Sequence, residues 1–341
     1  MILSISILLI SCGGEESSSG TQSASSSTAI PSVTNSWTQV GGVVAENTIL
    51  KKAPSVVIHN SIPYIAIGRT IYVDPSDVSK GTRNVVEVKF FNGNDWQPLG
   101  GPLNHDLRNP AYSPSMAIHN NILYVSFDEY IYNDPANVSA GGYRSVYVKY
   151  FDLNSGSSWQ LLGSEVNPSR NKTAKDSAII IDNTNELVHI KYSFGTDIQY
   201  AVFHLGTSGG WISTLQTAII LLFSSPSLPT GAPDVLTTKV HPGYGQFFND
   251  SVLVFQDNND FYVSHDEYFY NDPNNVSAGG QRQTYVHKYD GASFIKLGDK
   301  LNSNAVSTIF NLELFFINNI VYALFEEHDG TKRSLILKKY P

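Results

Sequence analysis

The chain has 341 residues, a net charge of −8 and a pI near 5.5. An acidic balance argues against nucleic acid as a partner, and a single cysteine excludes an intramolecular disulfide framework. No stretch sustains a helical period, and abundant Tyr and Phe between Gly, Asn and Ser turns read as an all-β chain.

Met1 opens onto an apolar run, Ile2 to Ile10, which is too short to span a bilayer and reads as an export signal over residues 1–11. The ending Leu9-Ile10-Ser11-Cys12 resembles the lipobox of bacterial lipoproteins. That resemblance implies cleavage before Cys12, diacylglycerol on its thiol, and a body lipid-anchored in the cell envelope, at the outer membrane or cell surface. The segment before the apolar run carries no Lys or Arg, a departure from that pattern. Residues 12–35, Ser/Gly-rich with almost no large apolar side chains, bury too little to offset their ordering entropy and read as a flexible tether.

The body, residues 36–341, carries a repeat. Apolar strands begin at Ser55, Ser115, Ser177, Ser251 and Asn311, in steps of 60, 62, 74 and 60 residues. Each is followed by a second and a third strand, and in four units by a fourth that opens on Trp96, Trp159, Trp211 or Phe294. The fifth unit lacks its fourth strand, but Trp37-Thr38-Gln39-Val40-Gly41 supplies that pattern ahead of the first. The expected fold is a five-bladed β-propeller closed by residues 36–42 pairing with 334–340, which removes an exposed edge. The fourth-strand aromatics are expected to pack between blades. The one helix candidate, Thr217 to Phe223, is short and continuously apolar, so a strand or loop plug is preferred. The repeat is similar to propellers of bacterial envelope and secreted proteins, a group that implies no single activity.

Between second and third strands lies a long hairpin. Residues 128–144 (DEYIYNDPANVSAGGYR) and 266–282 (DEYFYNDPNNVSAGGQR) agree at 14 of 17 positions, and residues 70–83 (TIYVDPSDVSKGTR) form a looser copy closed by Arg83. Asp134-Pro135 and Asp272-Pro273 read as the start of a single helical turn, and Gly141-Gly142 as its exit. Capping alone accounts for that frame. The loops nevertheless match better than the strands that carry them, so the hairpin face is also a candidate binding surface. Its candidate ligand contacts are Asp128, Glu129, Tyr130, Tyr132, Asp134 and Arg144, with Asp266, Glu267, Tyr268, Tyr270, Asp272 and Arg282, and with Tyr72, Asp74 and Arg83. Tyr rings, carboxylates and Arg suit a glycan or an envelope protein partner, bound by a monomer without turnover. A spacer or scaffold role would need the hairpins only for shape.

Two sharper readings compete. Ca²⁺ would take such acids, but no Asp-x-Asp-x-Asp-Gly loop is present, and no cofactor is expected. Paired carboxylates could cleave glycosides, as in five-bladed glycoside hydrolases. In that class the acids emerge from inner strands, whereas the first strands here open on Pro54, Pro114, Asp176, Asp250 and Phe310. His59 and His119 recur at one position of the first strand, where packing or turn bonding is the expected role. No Ser/His/Asp elbow, HExxH, phosphate loop or Cys nucleophile is present.

Overall fold

The computed structural model describes residues 36–46, 54–74, 76–167, 169–206, 210–214, 247–248, 253–255, 261–270, 280–289, 294–304 and 306–341. Cys12, the tether and residues 217–223 lie outside them. Among the described residues the protein is all-β and propeller-like, with five antiparallel sheets, four of them built from consecutive strands. The first sheet holds Ser55–His59, Ile62–Tyr72, Thr82–Phe91 and Trp96–Pro98. The second holds Ala111–His119, Ile122–Tyr132, Gly142–Asp152 and Gln160–Leu161. The third holds Ala174–Asp182, Leu187–Phe194, Asp197–His204 and Ile212–Thr214. The fourth holds Phe247–Phe248, Leu253–Phe255, Phe261–Tyr270, Gly280–Tyr289 and Phe294–Lys296. The fifth holds Thr308–Ile317, Ile320–His328 and Arg333–Tyr340, and its last strand also pairs with Thr38–Gln39 and Ala45–Glu46. Thr38 stands opposite Lys339, and Ala45 opposite Leu335. No helix of the described residues is long and apolar enough to cross a membrane.

The third strands explain where the cores lie. Val146, Tyr147 and Val148 are buried in succession, as are Leu335, Ile336 and Leu337. A strand buried on consecutive residues is covered on both faces. The apolar clusters accordingly sit between sheets: first with second, second with third, fourth with fifth, and fifth with first.

The fourth-strand tryptophans latch these seams. Trp96 Nε1 donates to the Val40 carbonyl (3.1 Å), Trp159 to Leu99 (2.9 Å), Trp211 to Leu162 (3.3 Å) and Trp37 to Leu297 (2.8 Å). Three of these indoles also rest on a Phe at or next to the end of the strand before, Phe91, Phe151 or Phe203, each with ring centroids 5.3 Å apart. Gly100 follows the accepting Leu99 at φ +66°, and a Cβ there would meet the Trp159 ring at 3.1 Å. The Leu-Gly pair of the repeat therefore makes room for the next sheet's tryptophan. The tryptophans pack between sheets, as the sequence leads one to expect, while Phe294 packs on Tyr289 of its own sheet.

Candidate functional site

The repeated hairpin gets its shape from its own residues. Asp134 accepts the Ala136 backbone N–H at 2.9 Å, an Asx turn, and Asp74 accepts the Ser76 N–H at the same distance. Hydrogen bonds from Lys80 and Ser76 hold the Asp74 carboxyl down at about 2. The helical turn comes later than expected: a single 3₁₀ turn spans Val138–Ala140, with Val78–Lys80 its counterpart, and Asp134 does not cap it. Gly141 leaves that turn at φ 74°, ψ −166°, a backbone conformation nearly restricted to glycine. Asp134 and Asp74 are thus turn-forming residues, exposed or nearly so.

The acids that open the hairpin are not on a solvated rim. Asp128 and Glu129 both have no exposed surface. Glu129 reaches into the loop that leads from the first sheet to the second, where it accepts the backbone N–H groups of His105 (2.5 Å) and Asp106 (3.1 Å) and the Asn109 amide (3.1 Å). Burial pushes its carboxyl up, against the pull of those donors. Glu327 does the same in the fifth sheet, taking the Ser303 N–H at 2.6 Å and the Ser307 hydroxyl at 2.5 Å. Glu129 is therefore a loop anchor and not the ligand contact expected of it. The physical reason is that the loop's unpaired N–H groups need an acceptor where water cannot reach.

Asp128 pairs with Arg144 of the third strand at 2.9 Å, and the Arg144 guanidinium lies 4.5 Å from the Tyr112 ring centroid. Burial pushes the Asp128 carboxyl up to about 6, and the nearby Asp176 adds to the shift, while Arg144, the Asp176 N–H and the Ser113 hydroxyl oppose it. The fifth sheet has a related cluster. Glu326 accepts from Asn311 (3.1 Å) and pairs with Arg333 (3.7 Å), whose guanidinium lies 5.3 Å from the Phe310 centroid. Arg282 of the fourth sheet lies 6.0 Å from the same ring.

These clusters depend on a feature the sequence reading missed. The first strands of the second, third and fifth sheets start earlier than expected and carry a bulge, between Tyr112 and Ser115, Lys175 and Ala178, and Phe310 and Glu313. Each bulge holds a non-glycine residue in the left-handed region: Ser113 (φ 52°), Asp176 (56°) and Asn311 (51°). A bulge re-aims one side chain and bends the strand. In the second and fifth sheets the re-aimed side chain satisfies the sheet's own acid. In the third sheet that acid is replaced by Ser193, and the re-aimed residue is itself the acid. Asp176 stands exposed, paired only with Lys175 at 3.4 Å, while its backbone N–H donates to Asp128 of the neighbouring sheet at 3.4 Å.

The remaining expected contacts divide as follows. Tyr130 and Tyr132 are half-buried and pack edge to face, centroids 5.0 Å apart. Tyr72 is exposed. Arg83 is not the counterpart of Arg144: Arg83 stands opposite Ile71, whereas Arg144 stands opposite Tyr130, one step further along the strand pair. A one-residue offset in a strand reverses the face, and Arg83 reaches only the Leu107 carbonyl at 3.4 Å. Asn84 occupies the Arg144 position and donates to the Tyr112 hydroxyl at 3.0 Å. In the fourth sheet Asp266, Glu267, Tyr268 and Tyr270 stand opposite Thr284, Gln283, Arg282 and Gly280, so Arg282 does match Arg144. The side chains of those four, and all of Asp272, lie outside the described residues. Among the described residues no cluster of three or more His, Cys, Asp or Glu could hold a metal ion.

Two further sets of residues were overlooked. Asn104, Asn167 and Asn302 each accept a third-strand N–H (from Val86, Val146 and Thr284) and donate onward to a loop carbonyl. Lys89, Lys149 and Lys338 send their ammonium groups to the carbonyls of Val44, Asn104 and Leu301, and burial lowers the pKa of each. The recurrent Leu-Gly-x-x-Leu/Val-Asn spacing and a Lys after Val88, Val148 and Leu337 carry these two sets in the sequence.

No family model matches the chain, and no curated protein does. Similar solved structures include an exo-1,5-α-L-arabinanase from a bovine ruminal metagenomic library, at 12% identity and TM-score 0.40, covering 88% of this chain and 95% of that one. An endo-arabinase from Bacteroides thetaiotaomicron matches at 10% and 0.37, covering 88% and 97%. The catalytic domain of a Coprinopsis cinerea α-L-arabinofuranosidase matches at 11% and 0.38, covering 90% and 97%.

Proposed function

We propose that the chain is a lipid-anchored envelope protein, held by Cys12, whose body is a five-bladed β-propeller closed through Thr38–Gln39, and that it engages a glycan at the end carrying the hairpins. The observation that carries this is the Asp128–Asp176 pair beside Arg144 and Tyr112. An exposed carboxylate on a bulged first strand, a guanidinium and a Tyr ring together offer what sugar hydroxyls and sugar faces bind. Asp176, rather than the hairpin acids, would touch the ligand, and Asp128 would fix its position.

The same pair favours a second reading, glycoside hydrolysis. A buried carboxyl raised to about 6 beside an exposed one is the division of labour that carboxylate-pair catalysis uses. In that reading Arg144 moves off Asp128 as substrate enters, since Asp128 has no exposed surface otherwise.

The test uses the full chain on arabinan first and then on a wider glycan panel, reading binding and released reducing ends side by side. Binding without release, lost in Asp176→Asn, supports the binding protein. Release that disappears in Asp176→Asn establishes the hydrolase. Absence of both across the panel overturns the proposal and leaves an assembly scaffold.

A further inference from the structure

At the opposite end of the strands the seams between sheets can be compared with one another, and one of them is different. His59 and His119 occupy the same place in the first and second sheets, each beside an Asn that bonds its ring. At the seam of the first and second sheets, His59 Nε2 meets Asn121 Oδ1 at 2.7 Å, which ties the two sheets together. The residue matching Asn121 in the third sheet is Glu186. The carbonyl of Asn121 accepts from Leu153, and that of Glu186 accepts from Leu205, at 2.8 and 2.9 Å. The turn before Glu186 is two residues longer, since Asp182 pairs with Leu187 where His119 pairs with Ile122. No tie from His119 to Glu186 forms, and the seam stays open as a cleft of about 490 Å³.

That cleft is lined by Tyr124, Tyr150 and Phe203 together with Ile122 and three leucines, with His119 and Glu186 among its polar residues and no Lys or Arg. Its size and its wall of aromatic and aliphatic side chains, with few polar groups, are those of a small-molecule site. Glu186 is exposed and holds φ 53° at a turn position filled by Ser61, Asn121 and Asn319 in the other described sheets. A glutamate gains nothing from that backbone conformation, where Asn is tolerated far better. Tyr124 is buried, and burial pushes its phenol up to about 12, so it remains a neutral hydroxyl.

Three aromatic rings with one carboxylate select a cation, through the negative ring faces and the counter-charge together. From this cleft we infer that the seam of the second and third sheets binds a small organic cation, an alkylammonium group, with Glu186 as its counter-ion. This site is separate from the hairpin end and does not rest on the glycan reading.

The probes are choline and its uncharged isostere 3,3-dimethylbutanol, titrated into the full chain by calorimetry or NMR. Choline binds with a Kd of about 1 mM or tighter, and the isostere at least about tenfold more weakly. Glu186→Gln and Tyr150→Leu each weaken choline by about tenfold, with an unchanged melting temperature for the exposed Glu186→Gln. Glu186→Asn, which restores the residue found at the tied seam, abolishes binding. Equal affinity for the two probes, an unchanged choline affinity in Glu186→Gln, or no choline binding at about 10 mM overturns the inference. Loss of binding in Asp176→Asn overturns it too, because that residue lies at the other end.

Discussion

The first and second sheets carry nearly the same hairpin tip on opposite foundations. In the second sheet the strand entering the hairpin supplies Asp128 and Glu129, and the strand leaving it supplies Arg144. In the first sheet the matching positions are Gly68, Arg69 and Asn84, and Arg69 pairs with Glu87 across the strands at 2.7 Å. Two of the three charges are absent and the third is reversed, yet Val78–Lys80 and Val138–Ala140 form the same turn. The tip therefore does not need the acids. They serve the loop ahead of the sheet and the cluster at the bulged first strand. Tip and foundation are two devices that happen to be adjacent in sequence.

The sharpest way to break this comparison is Arg144→Ala. It leaves Asp128 buried without its partner, at a cost of about 3 kcal/mol at pH 8. The sign with pH follows from the raised carboxyl. Protonation favours the folded form, so the penalty of ionised Asp128 is absent below the ordinary carboxylate range and grows as pH rises through about 6. Without Arg144 the carboxyl rises further, so denaturant titrations should find a clearly smaller loss at pH 5 than at pH 8. A pH-independent loss would mean that Arg144 acts by packing on Tyr112 alone.

Next comes Glu129→Ala, which strips three donors of their acceptor and should cost about 2 kcal/mol, with Glu327→Ala close behind. If thermal melts put either below about 0.5 kcal/mol, the loop-anchor role fails. Gly141→Ala tests the tip and should cost about 1 kcal/mol or more, with the mutant loop read by amide exchange. Gly81→Ala, at the matching position with φ 81°, should behave alike if the two tips are the same device. The smallest effect is expected for Arg83→Ala, within about 0.5 kcal/mol. A loss as large as that of Arg144→Ala would show that the offset copy shares its role after all.

Much of the architecture was legible because it repeats. A period near 60 residues, four strand patterns per unit and a Trp or Phe at a fixed place could be read without knowing any contact. The site was harder to read, for physical reasons that differ by residue. Asp128-Glu129-Tyr130 looks like a solvated acidic rim in one dimension, and only the returning loop around His105 and Asn109 buries Glu129. The bulges at Ser113, Asp176 and Asn311 leave no composition signal, since one extra residue in a strand looks like any other. Arg83 closes the third copy in sequence, but its position one step early puts it on the other face. Asn104, Asn167 and Asn302 stand at a fixed spacing after the Leu-Gly pair, but an Asn in a turn-rich stretch reads as a turn residue until the third-strand N–H that it accepts is seen.

The tryptophan latches also set an order in time. Trp159 and Trp211 each bond a residue of the sheet before, so each of these seams can fasten as soon as its own sheet has been made, whereas Trp96 bonds Val40, whose seam also needs the fifth sheet. Trp37 alone bonds forward, to Leu297, and the strand beside it awaits Arg333–Tyr340. During synthesis the segment around Trp37 is thus secured late, after more than 250 residues of sequence have followed it. A contact of that span is slow to find, and the waiting strand offers unpaired backbone to any neighbour meanwhile. A factor that shields an extended segment near residue 38 would act on the yield of folded protein without changing the stability of what finally forms.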